Sequence, residues 1–123
     1  MTKAKVYFSD MRTRYGGLSL PQKLGKLIEA AGIGDIDFQN KFAAIKIHFG
    51  EPGNLSFLRP NYAKVVVDTV AAQGGRPFLT DCNTLYVGRR KHALEPYYSC
   101  LRKWFQSFFN RLSHYYCRRL EGY

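Results

Sequence analysis

The stretch from Phe42 to Asn83 leaves this chain few folds to choose from. Phe42-Ala43-Ala44-Ile45-Lys46-Ile47-His48-Phe49 is a short run of strand-forming residues, and Gly50-Glu51-Pro52-Gly53-Asn54 after it is turn chemistry. Pro60 is placed to open a helix, because proline lacks an N–H that the first helical turn leaves unpaired anyway. Val66, Val67, Val70 and Ala71 follow at helical spacing, and Gly74-Gly75 stops the helix. Pro77 to Thr80 then reads as another strand. Two strands joined through a helix by short links pair in parallel, with a right-handed crossover.

The residues upstream repeat the pattern. Lys5 to Ser9 reads as a first strand centred on Val6, Tyr7 and Phe8. Arg12, Arg14, Gly16 and Gly17 form a basic turn. Ser19 is placed as a helix cap, with Pro21 in the first turn and Gln22 as its capping-box partner. Leu20, Leu24, Leu27, Ile28 and Ala31 supply an apolar stripe that Gly32 closes. The expected fold is therefore a small three-layer α/β unit of β-α-β-α-β order. Its parallel strands fall at Lys5–Ser9, Ala43–Phe49 and Pro77–Thr80, with helices near Leu20–Ala31 and Pro60–Gln73. Such a sheet wants both faces covered, and two helices do that only in part. On these residues alone the sheet is incomplete and the chain marginally stable.

Polar residues at the strand ends are the candidates for function. Ligands of open α/β sheets bind beyond the carboxyl ends of the strands. Lys46 and His48 share one side of their strand, while Ile45, Ile47 and Phe49 take the other. Arg59 precedes a helix N-terminus, which favours anions. Asp81 and Asn83 follow the last strand. Lys46, His48, Arg59, Asp81 and Asn83 are expected around one opening, with Glu51 and Arg89 nearby, as a site for a small anionic ligand. Each has a plainer reading beside it. Lys46 and His48 could lie on the solvated face of an edge strand, Asp81 and Asn83 could serve turns and caps, and Arg89-Arg90-Lys91 could be a solvated basic turn. Cys82 reads first as a small hydrophobe, and as a thiolate only if its pKa is lowered.

The chain is 123 residues long, with a formal net charge of +10 and three cysteines, Cys82, Cys100 and Cys117. An odd count with no Cys-x-x-Cys pair gives neither a disulfide framework nor a metal site in this chain. No apolar run reaches the length of a membrane span. Met1-Thr2-Lys3-Ala4-Lys5 leads into a strand without the apolar core of a secretion signal. These features point to a cytoplasmic chain with no membrane partner. Charge alone admits a second reading, a basic nucleic-acid-binding module, since aromatics interleaved with arginines suit single strands. Much of that signal lies after Glu95, however, which argues against nucleic acid as a partner of the rest. A hydrolase or transferase using His48, Glu51 and Asp81 lacks a nucleophile elbow or metal motif, so the enzyme question stays open.

Composition changes abruptly near Glu95-Pro96. Residues 96–123 hold nine of the chain's 19 aromatics, and Trp104, Phe105, Phe108 and Phe109 fall on no clean helical face or strand alternation. Back-translated from Leu101 and read one base along, the segment can spell YGNGFSPFSTGCHIIIADGLKG, with a buried strand and a turn. The expectation is a native unit over residues 1–95 and a frameshifted tail over 96–123. On the residues Lys5-Val6-Tyr7-Phe8-Ser9-Asp10-Met11-Arg12, Ile45-Lys46-Ile47-His48-Phe49-Gly50-Glu51, Leu58-Arg59-Pro60 and Thr80-Asp81-Cys82-Asn83-Thr84-Leu85-Tyr86, the chain resembles an uncharacterised family of iron–sulfur-centre proteins, domain of unknown function family 362. The shifted string resembles that family's continuation. The resemblance implies a truncated N-terminal part of a ferredoxin-like redox protein. Its 4Fe–4S clusters would sit in Cys-x-x-Cys-x-x-Cys modules of full-length relatives, with no cofactor held in this chain.

Overall fold

The computed structural model describes residues 3–82. Helix α1 spans Leu20–Ala30 and starts where the capping signals put it. Gln22 N donates to Ser19 Oγ at 3.4 Å, and Ser19 N donates to Gln22 Oε1 at 2.9 Å, a reciprocal capping box. Gly32 follows in the left-handed region at φ 89°, a conformation a side chain would disfavour. A short 3-10 turn, Ile33–Asp35, leads on toward the sheet.

Strand β1 is Phe42–Lys46 and strand β2 is Arg76–Thr80; they pair in parallel with Phe42 opposite Arg76 and Lys46 opposite Thr80. Helix α2, Pro60–Ala72, is the crossover between them. Gly74, at φ 77°, turns the chain back, and its carbonyl accepts from Asn40 N at 2.9 Å. The register is fixed at the amino end by Arg76 N donating to Lys41 O at 2.8 Å, with the Arg76 guanidinium 5.5 Å from the Phe42 ring centroid.

The buried cluster lies between this sheet and α2. It consists of Ile47, Phe49, Ala63 and Val67, with Ile45, Phe57 and Leu79 packed against it. Alternation along the strand accounts for this: odd-numbered residues of β1 and its extension point at α2, and Ala44, Lys46 and His48 point away and are exposed. Leu24 and Val66 are half-buried, as helix faces turned inward require. Helix α1 packs alongside α2 rather than across the sheet. Among the described residues no helix is long and apolar enough to cross a membrane.

The α/β class, the parallel pairing and both helices agree with the sequence reading. The sheet itself differs. Residues 5–9 form no ladder, so the described sheet has two strands where three were expected. Val6 is 87% exposed and Phe8 is 84% exposed. Strand propensity at Val6-Tyr7-Phe8 is a local property, whereas a strand exists only through its partner's hydrogen bonds. The third layer is likewise not among the described elements. The expected change at residues 96–123 falls outside the described residues.

Candidate functional site at the carboxyl ends of the strands

Parallel pairing brings the carboxyl ends of β1 and β2 to one edge. The crossover begins there too, because α2 runs back against the strands. Ala63, in its first turn, is buried against Ile47 and Phe49. His48 and Asp81 therefore share an end of the sheet. Beyond Lys46 the ladder continues for one bond, Ile47 N to Thr80 O at 2.9 Å. At the next step the Asp81 side chain substitutes for a main-chain carbonyl: its Oδ2 accepts from Phe49 N at 2.9 Å. The other oxygen, Oδ1, accepts from Cys82 N at 2.7 Å.

Asp81 is buried, with 8% of its surface exposed. A carboxylate is tolerable there because charged-acceptor hydrogen bonds satisfy it. It ties the end of β1 to the end of β2 and so fixes where His48 emerges. The His48 ring turns toward the following loop, and its Nδ1 accepts from Gly50 N at 2.8 Å. Nδ1 is then the acceptor nitrogen, so a neutral His48 carries its proton on Nε2. Glu51 is half-buried and opens the next turn, its carbonyl accepting from Asn54 N at 3.1 Å.

Helix α2 presents its N-terminus to this edge with little to neutralise it. Arg59 is the N-cap residue and makes no side-chain capping bond, and no acidic residue stands in the first turn. Pro60 has no N–H and Tyr62 N donates to Arg59 O at 3.1 Å, so it is the positive end of the helix dipole that adds to the Arg59 guanidinium. Thr80, the last residue of β2, contributes something the sequence reading missed. Its Oγ1 is buried and has no hydrogen-bond partner. A hydroxyl left so is costly, and a single Thr at a strand end carries no signal that would have singled it out.

The structure thus places His48, Asp81 and the α2 N-terminus with Arg59 at one edge, and Glu51 in the loop that leaves it. Lys46 is exposed on the strand face opposite α2 and one residue pair back from the edge. Asn83 and Arg89 lie outside the described residues. Cys82 is an exposed thiol. Among the described residues no three His, Cys, Asp or Glu side chains gather as metal ligands. No curated protein and no solved structure matches the chain. The sequence model of one family, described as domain of unknown function (DUF362), matches residues 43–103, a span that opens at β1 and takes in the turn, α2, β2 and the edge they share.

Proposed function

We propose that the edge formed by the carboxyl ends of β1 and β2 binds a small anionic ligand, within an α/β unit that belongs to an iron–sulfur redox protein. One observation carries the ligand part: an uncapped helix N-terminus, headed by Arg59 and free of acidic residues in its first turn, lies at the end of the sheet where β1 and β2 finish. The Arg59 guanidinium and the positive end of the helix supply attraction that suits a phosphate or carboxylate group. Asp81 acts here by holding Phe49 N and Cys82 N, and so by positioning the loop that carries His48.

The redox context rests on the family resemblance. A 4Fe–4S cluster takes four thiolates, and this chain has three cysteines, so its own residues do not make up a cluster site. The ligand would be a small anion or the anionic part of a redox partner.

Calorimetric titration of the full chain with inorganic phosphate and pyrophosphate at fixed ionic strength tests the site. Saturable binding, weakened about tenfold in Arg59→Gln by loss of one charge-assisted contact worth roughly 1.4 kcal/mol, is the expected result. Binding that Arg59→Gln leaves unchanged, or none at all, refutes it. The frame change near Pro96 is a separate proposal, motivated by the shift in composition; the family match ends at residue 103, within that segment. Sequencing the coding DNA decides it. Nucleotides that spell GFSPFSTGCHIIIADGLKG one base along support the change, and any unrelated string removes it.

A further inference from the structure

The second edge of β1 is not the one that pairs with β2, and residues 5–9 carry the composition of a strand. In a parallel ladder alternate residues bond to each side. Lys41 O and Ile47 N bond to β2, so the odd-numbered residues face β2. The N–H and C=O groups of Ala44 and Lys46 consequently point away from it, and both residues are exposed. Next to that edge lies a groove of about 420 Å³. Its walls are apolar: Leu20, Leu24 and Leu27 of α1, Ile45 and Ile47 of β1, and Val66 of α2.

Ser9, Asp10 and Met11 also line this groove. They are tethered there by Lys23, whose Nζ donates to Asp10 Oδ1 at 2.5 Å and to Arg12 O at 2.6 Å. Ser9 to Met11 and Ile45 to Ile47 border the same groove, so the carboxyl end of the upstream segment and the carboxyl end of β1 share it. A parallel approach fits that anchor. Five residues, 5–9, match the five of β1. With Ser9 opposite Lys46, Val6 falls opposite Ala43 and Phe8 opposite Ile45, so both turn toward the groove. These are the two side chains that stand 87% and 84% exposed. The same register lets Ala44 N donate to Val6 O and Phe8 N donate to Ala44 O.

We propose that residues 5–9 close onto the outer edge of β1 as a third parallel strand, hinged at the Lys23–Asp10 tether, with Val6 and Phe8 filling the groove. Closure removes an exposed strand edge and an exposed apolar patch in one movement.

Amide hydrogen exchange on the full chain tests it. Ala44 and Lys46 are expected to exchange at least about tenfold slower than free peptide, because closure protects them. Phe8→Pro removes the N–H that bonds to Ala44 O, and should abolish this protection. Continued slow exchange at Ile45 and Ile47, which bond to β2, shows that the variant is folded. Free exchange of Ala44 and Lys46 in the unaltered chain beside protected Ile45 and Ile47 overturns the proposal. So does protection that survives Phe8→Pro, since another partner would then cover the edge. If Phe8→Pro also exposes Ile45 and Ile47, Phe8→Ser takes its place. It keeps the N–H but removes the ring from the groove, and unchanged protection in it counts against closure.

Discussion

Asp81 and Thr80 are neighbours with opposite accounts. Asp81 is a buried charge whose two oxygens each take a backbone N–H, and removing it leaves those donors short of a partner. Asp81→Ala is expected to lower stability by about 1–3 kcal/mol in a urea titration, and Asp81→Asn by less because its carbonyl still accepts. Thr80 carries a buried hydroxyl with nothing to bond to. Thr80→Val keeps the shape and drops the unsatisfied group. It is therefore expected to raise stability, by up to roughly 1 kcal/mol, in the same titration. A loss of stability would mean that the hydroxyl has a partner in solution. The sequence marked Asp81 as polar where packing does not ask for polarity. Its latch to Phe49 was not legible, because that bond spans 32 positions along the chain.

Among the elements, those with local signals were readable and those with distant ones were not. Ser19, Pro21 and Gln22 announce α1, and the capping box is there. Ser19→Ala is expected to cost about 1 kcal/mol by thermal or urea unfolding, the usual worth of such a cap. The alternation of Ile45, Ile47 and Phe49 with Lys46 and His48 gave the two faces of β1 correctly. It could not say which face a helix would cover. Lys5–Ser9 has the composition of a strand, yet among the described residues it pairs with no other strand, since pairing depends on residues distant in the chain. That the ends of β1 and β2, with His48 and Asp81 just beyond them, lie at one side of the sheet follows from parallel topology. The parts of the site carried by Asn83 and Arg89 fall beyond the described residues.

Over the whole molecule, surface charge adds one dependence on pH. Lys23, hydrogen-bonded and close in charge, holds the Asp10 carboxyl below its ordinary range. A carboxyl depressed in the folded state favours folding above its unfolded pKa, and that contribution is lost as pH falls through the folded value. The tether on residues 10–12 is thus expected to hold at neutral pH and to loosen only in acid below the ordinary carboxylate range, as pH falls through the lowered Asp10 value. Following the Asp10 side-chain and Arg12 amide resonances through an acid titration checks this; a midpoint at or above the ordinary carboxylate value contradicts it.

The shared edge at the strand ends is tested most directly by mapping backbone amide shifts while inorganic phosphate is added to the full chain. Saturable shifts concentrated at His48 to Glu51, at Asn61 and Tyr62 in the first turn of α2, and at Asp81 and Cys82 are the expected result. Shifts spread evenly over the basic surface, or centred away from these residues, would contradict a site at the carboxyl ends of β1 and β2.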